Sequence, residues 1–205
     1  MSKFMDMAKG AKQLPMGYIL FMALISLWLL PITLAPFLQQ SNSEFAAPIY
    51  AVYGSSLVCH QLNSRSLCYY PNGNSISDCT DDSAYLESAK TASVAKSSGV
   101  GYKFPVCARD IGIYYSMLLG GIAILLLRMQ NNSDMPNPWL LALALIPMAI
   151  DGTTQAMGMR ESSNFLRLIT GFLAGIALPF YIIPMLNSVL SGFFSKTKAP
   201  ENAKQ

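Results

Sequence analysis

The sequence predicts an all-α fold: a helical transmembrane bundle of about four spans, with cytoplasmic termini and a large outer loop. Three observations carry that expectation. Apolar residues make up 52% of the chain and charged residues 12%, about half the charged share of a soluble domain. Four stretches are long, apolar and nearly free of charge, at about 17–38, 108–128, 138–157 and 165–193. Lysine and arginine are also distributed unevenly among the segments that join them.

The first stretch, 17–38, carries no charge, and Pro31, Thr33 and Pro36 loosen its far half. No small-residue cleavage site follows it, so it is expected to remain as a helix rather than leave as a signal peptide. The second, 108–128, closes at Arg128. The third, 138–157, opens behind Pro136 and at Pro138 and contains one acid, Asp151; proline favours a helix start and disfavours helix before it. The fourth, 165–193, contains Arg167 as its one charge, and Pro179 and Pro184 should kink it. Residues 45–60 form an apolar run too short to span, which suits an interfacial or re-entrant helix, with a short fifth span as the alternative.

Orientation follows the basic residues of short segments. Lys3, Lys9 and Lys12 precede the first span, Arg128 closes the second, and Lys196, Lys198 and Lys204 follow the last. The turn between the third and fourth spans offers Arg160, and Arg167 just beyond it. Both termini are therefore expected in the cytoplasm of a multi-pass cell-membrane protein, and the loop 61–106, the Asp151 end and the Arg160 turn outside. The net charge of +3 reflects this topology. Its basic residues are scattered and lack stacking aromatics, so no nucleic-acid footprint is present.

Residues 72–101 are rich in Ser, Asn, Asp, Gly and Thr, the composition of an exposed loop that adds little core. One short helix over about 83–96 fits within it. All four cysteines, Cys59, Cys68, Cys79 and Cys107, fall in the outer segment, where an oxidising compartment favours disulfides. Cys68 and Cys79 flank the Pro71-Asn72-Gly73-Asn74 turn, which can bring them together. Cys59 is followed by His60, and Cys107 precedes Asp110 by three positions, a spacing that shares one helix face. Two thiolates, an imidazole and a carboxylate form a tetrahedral set suited to zinc or copper. A Cys59–Cys107 disulfide with a hydrogen-bonded His60 is the plainer reading of the same residues.

Asp151, Thr154 and Gln155 form a polar stripe at the outer end of the third span. An intramembrane carboxylate normally faces the bundle and finds a partner. Arg160, Asn164, Arg167 and Gly171 recur at helical spacing and offer partners, and Arg109 and Arg65 can join them. A salt-bridge network clamping helix ends is the bland form of this cluster. Gly112, Ser116 and Gly120, and likewise Gly171 and Gly175, are small residues four apart that let helices approach closely in lipid.

Four ordered motifs resemble a family of small prokaryotic multi-pass membrane proteins catalogued as a domain of unknown function. They are Cys59-His60-Gln61 with Arg65-Ser66; Cys107-Ala108-Arg109 with Gly112-Ile113-Tyr114; Asp151-Gly152 with Gln155; and Arg160-Glu161-Ser162 with Asn164, Arg167, Thr170 and Gly171. The resemblance covers roughly residues 45–175 and implies a multi-pass helical fold without implying an activity. The family usually has Cys-Ala-Arg-Cys where this chain has Asp110, which keeps a metal ligand but removes a Cys-x-x-Cys pair. Its connection between the first two motifs is usually much shorter, so Cys68 and Cys79 belong to an added loop.

Two classes of function follow. One is an accessory or metal-binding subunit of a larger membrane complex, with protein partners in the bilayer. The other is an outer-leaflet enzyme using thiol redox or phosphate-headgroup chemistry, with His60 moving protons and arginines holding the anion. The single histidine cannot be both nucleophile and separate acid, and it excludes paired-histidine haem ligation within the chain. No nucleotide motif is present.

Overall fold

A computed structural model describes residues 16–53, 62–80, 91–97 and 99–198. Four of its helical segments are long and apolar enough to cross a membrane: Met16–Gln40, Ala108–Leu126, Pro138–Ala156 and Asn164–Phe193. The expected helical bundle is therefore present, joined by a small sheet that the polar composition of the loop conceals.

Helix α1 (Met16–Gln40) buries Phe21, Ile25, Leu29, Ile32 and Ala35, positions four and three apart that define one stripe. Leu20, Leu24, Leu27, Leu30 and Leu34 lie on its exposed side. Apolar residues on both sides mark a helix whose outer face meets hydrocarbon. Pro31 and Pro36 lie inside the helix, and the Thr33 hydroxyl donates to the Leu29 carbonyl at 2.9 Å. The short helix α2 (Ala46–Tyr53) turns back on α1, where the Tyr53 hydroxyl donates to the Trp28 carbonyl at 2.8 Å. The rest of the helix expected over 45–60 lies outside the described residues.

After a 3₁₀ turn at Asn63–Arg65 come β1 (Leu67–Tyr70), β2 (Ser75–Asp78), β3 (Ser93–Lys96) and β4 (Gly99–Lys103). They form an antiparallel sheet in the order β2-β1-β4-β3. Cys68 and Cys79 are joined by a disulfide across 11 positions. Pro71–Gly73 forms a 3₁₀ turn, with Asn74 in the left-handed conformation closing the hairpin. Residues 93–96 are strand, which corrects the helix expected there; residues 81–90 lie outside the description. Among the described residues of 72–101 Cys79 is the one buried hydrophobic side chain; it packs with Cys68 and Tyr70 of β1, so the segment adds little core, as its composition implies.

The sheet is fastened to the bundle. Phe104 and Val106 pack with Ile32 and Tyr53, the Phe104 amide donates to the Leu67 carbonyl, and the Tyr50 hydroxyl donates to the Lys103 carbonyl.

Helix α3 (Ala108–Leu126) returns through the bundle, and Arg128 ends it in the left-handed conformation, φ 57°. Helix α4 (Pro138–Ala156) starts with proline at its first turn, and the Asn137 side chain caps the Trp139 amide. Asp151 is the one buried residue of α4. Helix α5 (Asn164–Ala177) is capped by Ser163, and α6 (Pro179–Lys198) follows directly. Pro179 interrupts the fourth span, as its missing amide requires, whereas Pro184 sits inside α6 without ending it.

Helices α3 and α5 pack most closely, through glycine. A Cβ on Gly112 would strike the Leu168 carbonyl, one on Gly171 the Arg109 carbonyl, and one on Gly175 both the Ile113 carbonyl and the Ser116 hydroxyl. Backbone approach of this kind is what small-residue spacing permits in lipid. At the end of the bundle away from the sheet, the Asn187 amide donates to the Gln130 and Asn132 carbonyls, each at 2.9 Å.

Candidate functional site

The close α3–α5 crossing delivers Arg109, the second residue of α3, beside Arg167 in the first turn of α5. The α4–α5 link adds Arg160, Glu161 and Ser162, and the 3₁₀ turn below the sheet adds Arg65. With Asp151 of α4, five separate chain segments therefore converge at the sheet end of the bundle.

Asp151 forms the first centre. Its side chain is 1% exposed, with one carboxylate oxygen 2.5 Å from Arg109 Nη2 and the other 2.9 Å from Arg160 Nη2. Two opposite charges allow a carboxylate to stay ionised away from water.

Glu161 forms the second centre, at the rim. One of its oxygens accepts from Gln155 Nε2 at 3.0 Å and lies 3.7 Å from Arg65 and 3.5 Å from Arg167. The Arg167 side chain is 2% exposed and donates through Nη1 to Asn164 Oδ1 at 2.9 Å. Asn164 in turn donates to the Asp78 carboxylate at 3.1 Å and to the Ser64 and Ser66 carbonyls. This one amide ties the bundle to the sheet.

The structure thus brings together Arg65, Arg109, Asp151, Gln155, Arg160, Asn164 and Arg167, but sorts them differently from the expectation. Arg160 precedes α5 and does not share its face with Asn164 and Arg167. Arg109 and Arg160 hold Asp151, whereas Arg167 serves Glu161 and Asn164. Cys107 Sγ donates to Asp110 Oδ2 at 3.1 Å, so two residues of the proposed metal set touch. Cys59 and His60 lie outside the described residues. Among the described residues no three His, Cys, Asp or Glu side chains gather around a common metal position.

Sequence reasoning missed Glu161 as a site member, although a lone acid directly after Arg160 was a usable signal. It also missed Asp78 and the buried pair of Lys103 and Asn63, in which Lys103 Nζ donates to Asn63 Oδ1 at 3.1 Å. Nothing local marks those residues, because their partners come from distant segments.

Electrostatically, the cluster sets four guanidiniums against two carboxylates in ion-pair contact among the described residues. Arg65 and Arg109 both lie close enough to Arg167 to repel it. Arg167 Nη2 and Arg109 Nε are buried without a hydrogen-bond partner among the described residues. Nearby, burial pushes the Tyr50 phenol well above the usual tyrosine range.

Residues 98–181 match a family described as predicted membrane protein (DUF2085). That interval contains every ion-paired residue of the cluster except Arg65. An uncharacterised protein of Methanocaldococcus jannaschii is 36% identical over 174 residues, covering 82% of this chain and 91% of the relative. An uncharacterised protein of Methanothermobacter thermautotrophicus is 46% identical over 79 residues, 38% of this chain and 68% of that relative. No solved structure matches the chain significantly.

Proposed function

This chain belongs to the DUF2085 family of predicted membrane proteins, whose function is unknown, and from that premise we propose that it serves as an accessory, non-catalytic subunit of a larger membrane assembly. It sits in the cell membrane with both termini cytoplasmic and the sheet end outside. The distribution of lysine and arginine among short segments supports that orientation. The observation that carries the accessory reading is how α4 is held: a spanning helix whose one buried residue is Asp151. The Asp151 ion pairs clamp α4 to α3, α4 also packs along α5, and its exposed apolar face, with Leu140, Leu143, Ile146 and Ile150, is left for neighbours within the bilayer. Small-residue packing and a stapled outer sheet suit a scaffold that presents surfaces.

Purification in mild detergent from the native membrane, with crosslinkers placed along the α4 face, tests this. The reading expects partner proteins in fixed ratio crosslinked to α4, and a clean monomer would overturn it.

A metal at Cys59, His60, Cys107 and Asp110, zinc or copper by its ligands, is the second part of the proposal. The Cys107–Asp110 contact supports it. Elemental analysis should find near-stoichiometric metal that a His60→Ala variant loses. A metal-free parent protein would remove this part alone.

A further inference from the structure

The ion pairs of the cluster do not use all of its donors. Arg167 is 2% exposed, and its Nη2 has no hydrogen-bond partner among the described residues, as is true of Arg109 Nε. A buried guanidinium nitrogen left without an acceptor is costly, and three arginines held near one another raise that cost. Glu161 relieves it only loosely. Its carboxylate stands 3.5 Å from Arg167 and 3.7 Å from Arg65, and its side chain is 42% exposed.

We propose that Arg65, Arg109 and Arg167 form a binding site for a phosphate-class oxyanion, with Glu161 occupying the entrance as its internal stand-in. Arg167, held by Asn164, is the floor. Arg65, on the 3₁₀ turn below the sheet, is the exposed wall, so an anion enters past Glu161 without the bundle opening. Among the described residues four guanidiniums are in ion-pair contact with two carboxylates, Asp151 and Glu161, so positive charge predominates at the ion-paired centre and suits a multiply charged anion better than a single carboxylate. Forked guanidinium donors also match the oxygens of phosphate. The phosphate could be a free ion or the headgroup of an anionic lipid, because the site lies at the end of the spans. The inference is independent of the accessory role: recovery of a monomer leaves it untouched.

The full chain in dodecyl maltoside is titrated with inorganic phosphate by calorimetry. In parallel it is placed in nanodiscs of phosphatidylcholine with and without phosphatidic acid, with lipid retention read by native mass spectrometry. Saturable phosphate binding identifies the free ion, and retention of phosphatidic acid alone identifies the headgroup. In whichever arm binds, E161Q should tighten binding roughly tenfold by removing a competing charge, and R65Q should weaken it by about the same factor. Neither variant alters a buried side chain, and circular dichroism checks that both retain the parent's helicity. No binding in either arm overturns the proposal. So does binding that E161Q fails to tighten or R65Q fails to weaken.

Discussion

Asp151 and Arg109 stand 42 positions apart in the chain and meet at 2.5 Å inside the bundle, so that the second and third spans are joined by charge where their packing is sparse. Arg160 takes the other oxygen of the same carboxylate at 2.9 Å.

Removing that carboxylate leaves Arg109 facing the protein interior uncompensated. Asp151→Asn should cost about 3–5 kcal/mol, the usual penalty for breaking a buried pair on one side. Arg160→Gln should cost within about 1 kcal/mol, since an exposed pair contributes little and the Arg160 side chain is 43% exposed. Thermal unfolding in micelles ranks the two variants; equal effects would show that the carboxylate is not the keystone.

The α3–α5 crossing makes a second prediction. Gly175→Ala places a methyl group against the Ile113 carbonyl and Ser116 hydroxyl and should destabilise by about 1–3 kcal/mol, the range for overpacking. Gly192→Ala meets nothing within 4 Å and should be neutral or gain up to about 1 kcal/mol of helix propensity. Denaturation of both variants in mixed micelles decides, and a tolerant Gly175 would refute the close crossing.

The Cys68–Cys79 bridge closes a short loop across the β1–β2 hairpin. Cys79→Ala should lower the stability of the sheet by about 2–4 kcal/mol and leave the spans in place. Hydrogen exchange should therefore rise across residues 67–78 and hold steady in α3 and α5. Exchange rising equally in the spans would mean that the sheet is integral to the bundle.

Tyr50 gives a pH dependence. Burial raises its ionisation above the ordinary value of 10.0. A group with a raised folded value contributes stability that is complete below its unfolded value and lost as pH climbs past it. Stability should thus fall from about pH 10 upward, and Tyr50→Phe should remove that part of the decline while losing about 1 kcal/mol at neutral pH for the missing hydrogen bond to Lys103. Paired alkaline unfolding curves test it: parallel curves for parent and variant would reject the assignment.

The four spans were legible because hydrocarbon imposes one rule on a long stretch of residues, and α1, α3, α4 and the α5–α6 pair obey it. The interruption at Pro179 and the two small-residue stripes were legible because each follows from a local residue property, whereas the contact of Gly175 with Ser116 was not, since it depends on how the two helices cross. The convergence of arginines on Asp151 and its neighbours was legible in outline, because a carboxylate at membrane depth demands partners. Which arginine takes which acid was not, because Arg109 and Arg167 are both within reach and the choice depends on the register of α3 against α5. The sheet was hidden for a different reason. Its outer strands, Ser75–Asp78 and Ser93–Lys96, are short and polar, and β1 pairs with β4 across a gap that local periodicity cannot report.

The charge-based link between α3 and α4 also bears on how the chain is assembled. Arg109 precedes Asp151 in synthesis and Arg160 follows it, so the acid can be neutralised by a guanidinium already delivered before the second arrives. On that order, α4 should insert before both of its ion pairs are complete and be locked as Arg160 arrives. Lengthening the 127–137 linker should therefore delay the locking step without impairing insertion.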